Sequence, residues 1–243
     1  MSGLGVGLGR CWAQKGVVMS NEFDDFSFAE NPDPRCPVVL VLDVSDSMGQ
    51  KWDNENQTPI DALNEGLDLF VTQLAKDDLA RRRVEVAVVT FGSTVTVETG
   101  FETVTNLAIP VLETRGLTSL GEAVETAVEL IETRKQTYRD NGIAYYRPWV
   151  VLVTDGAATD SITTATSLIS EAETHKKLAF FVVGVEGADF EMLNQLSTRQ
   201  PLKLDGLKFS ELFMWLSTSQ TRVSSSTPGD TIDLPSPTGW AAL

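Results

Sequence analysis

Five oxygen-bearing side chains in three separate parts of the chain have the chemistry needed to bind a small, hard cation. Asp43, Ser45 and Ser47 stand at alternate positions directly after an apolar run, and Asp155 follows a second apolar run. Thr118 lies between the two runs in the sequence. Two carboxylates and three hydroxyls form an oxygen-only ligand set, which suits Mg²⁺ or Mn²⁺ and, less well, Ca²⁺.

The apolar runs are expected to bring these residues together. Residues 38–42 and 150–153 are continuous and apolar, which is typical of strands buried on both faces of a parallel sheet. Ligands of open α/β sheets bind beyond the carboxyl ends of the strands, where the strand order reverses. We therefore predict that Asp43 and Asp155 end neighbouring central strands, with Thr118 on a loop between them.

Apolar runs alternate with amphipathic segments along most of the chain. This alternation predicts an α/β fold with a doubly wound, mainly parallel six-stranded sheet of the Rossmann-like kind, with helices on both faces. The strand that follows Gly92-Ser93 is expected to be the one antiparallel edge strand, because such a short turn permits only a hairpin. The predicted strands are 38–42, 84–91, 94–103, one within 148–155, 178–185 and 202–204.

The helix that follows Thr118 has a recognisable start. Ser119 and Glu122 have the spacing of a capping box, which would place Thr118 just outside a helix N-terminus. Asp160 is interpreted as the cap of the next helix along the chain, at about 160–176.

Composition excludes several classes of protein. The net charge of −15, with 19 basic and 34 acidic residues, argues against a nucleic-acid partner, which needs clustered Lys and Arg. No apolar run approaches the roughly 20 residues that span a bilayer, so we predict no membrane segment. Cys11, Cys36 and the single histidine, His175, are too few for a tetrahedral zinc site. Free thiols indicate a reducing compartment.

The sequence divides into three parts. Residues 1–36 are expected to form an N-terminal arm, partly disordered, with Met19 as an alternative start of translation. Residues 37–223 contain the strand and helix patterns. Residues 224–243 are rich in Ser, Thr, Pro and Gly and predict an extended C-terminal tail, whose end docks through Trp240.

The motif Asp43-x-Ser45-x-Ser47, with Thr118 and Thr154-Asp155-Gly156, resembles the metal-ion-dependent adhesion site (MIDAS) of von Willebrand factor type A domains. Four further blocks resemble the bacterial TerY-type branch, which is associated with tellurium-resistance gene clusters. They are 60–67, 145–149, 184–189 and 237–240. The resemblance implies a cytoplasmic domain that holds a divalent cation and acts through protein partners. In that branch the partners would be a protein Ser/Thr kinase and a metal-dependent protein phosphatase.

This chain departs from the family pattern at three places. Asp46 stands where the family usually has Gly, which adds a negative charge beside the site. Residues 51–57 lengthen the rim. Gly156 is not followed by the usual proline, so the third loop is expected to be freer.

Charge balance favours binding over catalysis. Two carboxylates and three neutral hydroxyls leave a dication with a position open to a partner's Asp or Glu. One alternative is a metal-dependent phosphohydrolase with Asp43 as nucleophile, but Ser45 stands where such enzymes need a second aspartate. A lone His175 supports no Ser–His–Asp set. The other alternative is a scaffold subunit with a vestigial metal site. We expect a non-enzymatic interaction module.

Overall fold

This computed structural model describes residues 28–51 and 55–242. From residue 32 onward they are organised around one sheet with helices on both faces. The elements below lie in the compact unit 32–243. The strands are β1 (Cys36–Asp43), β2 (Val84–Phe91), β3 (Val95–Thr103), β4 (Trp149–Thr154), β5 (Ala179–Gly184), β6 (Leu202–Leu204) and β7 (Ala241–Ala242). The helices are α1 (Pro59–Leu74), α2 (Ala80–Arg83), α3 (Leu120–Asp140), α4 (Thr163–Thr174), α5 (Phe190–Leu196) and α6 (Phe209–Ser224), and Asp46–Gly49 forms a 3₁₀ helix.

The strand order is β3-β2-β1-β4-β5-β6-β7. β1 pairs in parallel with both β2 and β4, so the order reverses between β1 and β4, as predicted. The six predicted strands are present, and β3 is antiparallel to β2 at one edge. The two-residue β7 was not predicted, and it adds an antiparallel strand at the other edge. Asp43 ends β1 and Asp155 directly follows β4, so both lie at the carboxyl edge of the sheet.

The side chains of β1 alternate between two apolar cores, which explains its continuous apolar sequence. Val38, Leu40 and Leu42 pack in the core that α1 and α6 cover. Val39 and Val41 pack in the core that α3, α4 and α5 cover. Burial on both faces fixes this strand in the sheet and thereby places Asp43 and the loop that follows it.

The start of α3 differs from the prediction. Ser119 makes no side-chain cap, so the proposed capping box with Glu122 is wrong. The carboxylate of Asp160 instead accepts the backbone N–H groups of Gly121 (3.1 Å) and Glu122 (2.9 Å). The prediction that Asp160 caps the following helix is wrong as well, since α4 begins only at Thr163. A carboxylate is a stronger acceptor for helix N–H groups than a serine hydroxyl, and the fold brings one close.

The end of the tail packs on the domain. Trp240 is 2% exposed, and its ring centroid lies 5.4 Å from that of Trp215. The indole N–H of Trp215 donates to the Pro235 carbonyl oxygen at 2.8 Å. β7 then pairs with β6, so the tail covers part of the core near α6. Among residues 28–51 and 55–242, no helix combines the length and the apolar character needed to cross a membrane.

Replacing Trp240 with Ala should lower the free energy of unfolding by about 3 to 5 kcal/mol, because it empties a buried aromatic position. Urea unfolding measures this loss. Val111 is 80% exposed, so Val111→Ala is the control and should change stability by less than about 0.5 kcal/mol. Equal stability of the Trp240→Ala and wild-type proteins would contradict the packing role of the tail.

Candidate metal centre

Asp43 lies at the bottom of the site, at the end of β1, and is fully buried. Its Oδ1 accepts the backbone N–H of Ser45 at 2.8 Å, and its Oδ2 accepts the hydroxyl of Thr154 at 2.6 Å. The chain turns immediately after the strand, so the acid binds its own loop through an Asx-type contact. The neighbouring strand β4 fixes the second oxygen through its last residue. The loop after β1 and the end of β4 therefore fix the orientation of this carboxylate together.

Ser45, Ser47 and Asp155 meet directly. The hydroxyl of Ser47 donates to Asp155 Oδ1 at 2.8 Å, and the hydroxyl of Ser45 lies 3.5 Å from the same oxygen. The two serine hydroxyls are 2.9 Å apart. The loop after β1 and the loop after β4 are thus joined through candidate ligand side chains.

Thr118 completes the group from the loop before α3 and is 6% exposed. A Cβ added to Gly156 would lie 3.3 Å from Thr118 Oγ1 and 3.9 Å from Asp43 Oδ2, so both oxygens border the same small space. Glycine at this position allows the loop after β4 to pass close to the threonine. The structure therefore brings all five sequence-predicted residues together above the centre of the sheet.

The loop that carries Thr118 is also tied to the loop after β1. Asp46 Oδ1 accepts the Gly116 N–H at 2.8 Å, and the Asp46 N–H donates to the Gly116 carbonyl oxygen at 2.9 Å. The Arg115 N–H donates to the Val44 carbonyl oxygen. Asp46 itself is exposed. Of the predicted rim at 51–57, residues 52–54 lie outside the described part of the chain.

The two carboxylates are electrostatically unfavourable as they stand. Burial, together with the nearby charge of Asp43, raises the pKa of Asp155 from 3.8 to about 6. Burial likewise raises the pKa of Asp43, although hydrogen bonds from Ser45 and Thr154 oppose this effect. Both shifts mean that the folded protein disfavours negative charge here unless a positive charge is supplied.

No described Lys, Arg or His side chain forms an ion pair with Asp43 or Asp155. Within the described ranges there is also no cluster of three or more His, Cys, Asp or Glu around one point. The candidate centre thus depends on hydroxyl oxygens for most of its donors. Two buried acids with neutral oxygen donors and no basic partner fit a hard divalent cation.

His175 lies far from this group. It directly follows α4, which runs from the carboxyl edge of the sheet back toward the start of β5. Its Nδ1 is 2.9 Å from the Glu171 carbonyl oxygen. The only histidine of the chain therefore lies near the amino ends of the strands, whereas Asp43 and Asp155 lie at the carboxyl ends.

The family model for the von Willebrand factor type A domain matches residues 38–206, more than half of the chain. The chain belongs to the von Willebrand factor type A (vWA) family. Comparison with curated proteins gave no match. The matched range contains all five candidate ligands of the vWA domain.

Solved structures share the vWA fold at low identity. The pilus adhesin SpaC from Lactobacillus rhamnosus GG is 13% identical with a TM-score of 0.60, over 78% of this chain and 31% of that chain. BatB from Bacteroides thetaiotaomicron is 15% identical with a TM-score of 0.53, over 79% and 100%. Proximal thread matrix protein 1 from the mussel byssus, with a zinc-occupied MIDAS motif, is 15% identical with a TM-score of 0.51, over 78% and 48%. The vWA chain thus spans about half the length of the mussel protein, and the likeness shows the fold alone.

Sequence reasoning missed the residues that support the candidate ligands. The hydroxyl of Thr154 orients Asp43, although the sequence analysis counted it only as part of a motif. Thr159 and Asp160, in the loop after β4, bind the Thr118 loop. The expectation that the loop after β4 is freer without a proline stays a prediction. The position of Thr154, a polar residue at the end of the apolar β4 run, was the sequence signal for its role in orienting Asp43. Nothing in the sequence pointed from 159–160 to α3.

Replacing Asp155 with Asn should stabilise the metal-free vWA domain at neutral pH. Asn removes a buried charge that Asp43 repels, while its amide oxygen can still accept the Ser47 hydroxyl. Because the folded pKa of about 6 is above the ordinary 3.8, the wild-type contribution is full below pH 3.8 and is lost as pH rises through 6. We expect a gain of about 1 to 2 kcal/mol at pH 7, measured by urea unfolding in EDTA.

The gain should shrink toward zero at pH 4, where Asp155 is protonated in the folded wild-type protein. Asp78 is 86% exposed, so Asp78→Asn is the matched control and should change little at either pH. A lower stability of the Asp155→Asn protein at pH 7 would rule out this electrostatic account.

Proposed function

We propose that this vWA domain is a divalent-metal-dependent protein-interaction module rather than an enzyme. Asp43, Ser45, Ser47, Thr118 and Asp155 would hold the ion. When bound, the cation would supply positive charge and one coordination position for the carboxylate of a partner protein. The observation that carries the proposal is the convergence of two buried carboxylates and three hydroxyls with no described basic side chain beside them.

Mg²⁺ is the proposed ion, with Mn²⁺ next and Ca²⁺ less suited. All five donors are oxygens, and three of them are neutral hydroxyls, which suits hard cations. The mussel byssus neighbour carries zinc in its MIDAS motif, which supports a divalent cation at this position of the fold. The donor set of this chain lacks the nitrogen and sulfur ligands that zinc prefers.

The partner is proposed to be a protein Ser/Thr kinase or a metal-dependent phosphatase in a TerY-type tellurium-resistance or stress system of the cytoplasm. Four sequence blocks outside the metal motif support this branch, at 60–67, 145–149, 184–189 and 237–240. The net charge of −15 favours partners with basic surfaces around the interacting acid. No nucleic acid or membrane partner is proposed.

Mg²⁺ or Mn²⁺ should raise the melting temperature of the vWA domain, because an ion that binds only the folded state stabilises it by mass action. At about 100 times Kd the gain is about 2.7 kcal/mol, or roughly 5 to 10 °C. Asp43→Ala and Asp155→Ala should abolish the shift. Differential scanning fluorimetry with EDTA as reference measures it.

The control for this measurement is Asp78→Ala, which removes an exposed carboxylate and should keep the wild-type shift. No shift in wild-type protein at millimolar Mg²⁺ and Mn²⁺ would favour the vestigial-site alternative. Phosphatase turnover that requires Mg²⁺ and Asp43 would favour the phosphohydrolase.

Capture of a kinase or phosphatase from native cell extract should require the ion. Immobilised wild-type and Asp78→Ala proteins should retain it in Mg²⁺ and release it in EDTA, and the Asp155→Ala protein should not retain it. Mass spectrometry identifies the captured protein. Equal retention with EDTA would contradict capture through the ion.

A further inference from the structure

Two residues of the loop after β4 hold the loop that carries Thr118. The Thr118 carbonyl oxygen accepts both the N–H (2.9 Å) and the hydroxyl (3.0 Å) of Thr159. The carboxylate of Asp160 accepts the N–H groups of Gly121 (3.1 Å) and Glu122 (2.9 Å). Thr118 is thus held at its own carbonyl group and through the first turn of α3, which follows it in the sequence.

Gly121 shows how closely the loop after β4 approaches α3. A Cβ at this position would lie 2.3 Å from the Ser161 carbonyl oxygen, so no side chain fits there without a shift of the backbone. Ser119 provides no side-chain cap for the same helix. The first turn of α3 therefore takes its side-chain acceptor from a loop about 40 residues further along the chain.

The loop that contains Thr159 and Asp160 begins at Asp155, itself a candidate ligand. Any displacement of this loop from α3 would change the position of Thr118 relative to Asp155. In the described part of the chain these two side chains form no hydrogen bond with each other, whereas Asp155 contacts Ser47 directly. The contacts of 159–160 are therefore the direct link between them, beside the indirect one that runs from Gly116 through Asp46 and Ser47.

We propose that Thr159 and Asp160 form a latch that positions Thr118 relative to Asp155 for cation binding. The inference rests on the function proposed above. Both are positioning residues, because the Asp160 carboxylate accepts backbone N–H groups and the Thr159 hydroxyl donates to the Thr118 carbonyl oxygen. Opening the latch should weaken cation binding while the fold remains intact.

The first test is Mg²⁺ affinity by isothermal titration calorimetry on the full chain. Asp160→Ala should weaken binding by about 5- to 30-fold, the factor expected for loss of a helix cap. Asp160→Asn should lose less affinity than Asp160→Ala, because it keeps one of the two oxygens that accept the N–H groups of Gly121 and Glu122. Thr159→Val keeps the backbone donor and loses only the hydroxyl, so about threefold is expected.

Asp77 provides a matched control. Its Oδ1 accepts the N–H groups of Leu79 (3.0 Å) and Ala80 (2.7 Å), at the start of α2 and near the opposite edge of the sheet. Asp77→Ala should lower the melting temperature in EDTA without changing Mg²⁺ affinity. An equal loss of Mg²⁺ affinity in this variant would reduce the latch to a general stability effect and overturn it.

A metal-free measurement separates the latch from the proposed function. In EDTA, amide hydrogen exchange at both Gly121 and Glu122 should accelerate in Asp160→Ala, and it should accelerate less in Asp160→Asn, which keeps one acceptor oxygen. Unchanged exchange in Asp160→Ala, or wild-type Mg²⁺ affinity in that variant, would overturn the latch. Failure of the wild-type protein to bind Mg²⁺ or Mn²⁺ would overturn the proposed function and the cation-binding role of the latch, while exchange would still report the latch contacts.

Discussion

Asp43 and Asp155 carry like charges into a site from which water is largely removed, and no described basic side chain is paired with either. Burying a charge is unfavourable, and a second charge of the same sign adds to that penalty. The hydroxyls of Ser47 and Thr154 relieve only part of it, since they are neutral donors. A bound dication would neutralise the two negative charges and attract both carboxylates. The site is therefore built at the expense of metal-free stability, which is typical of functional positions.

The parallel sheet is what makes such a pair possible. β1 and β4 are neighbours at the point where strand order reverses, and their carboxyl ends meet at one edge. Two apolar cores bury both faces of β1, so the strand cannot shift to separate the acids. α1 and α3 begin on the same side, and their N-termini turn partial positive charge toward this edge. Packing free energy far from the site thus holds the carboxylates together.

Local patterns in the sequence were sufficient to predict the central strands, their order and the convergence of the five candidate ligands. Continuous apolar runs identified β1 and β4, and the polar residues that end them identified the site. The contacts that were not predicted join residues that are distant in the chain. Asp160 caps α3 across 38 and 39 positions, and no local pattern encodes such a pairing. β7 has only two residues, too few for any periodicity, although Trp240 indicated that the tail docks.

Acidic side chains near the candidate site have a structural role in addition to their contribution to the net charge. Asp46 and Asp160 both look like additional negative charge beside a cation, yet each binds backbone N–H groups of the segment around Thr118. A carboxylate engaged in this way fixes a loop and contributes less repulsion to an approaching anion than a free one does. These hydrogen bonds hold the segment around Thr118 from two sides, from the loop after β1 and from the loop after β4. Under the proposed function, residues that never touch the ion would therefore tune the affinity for it.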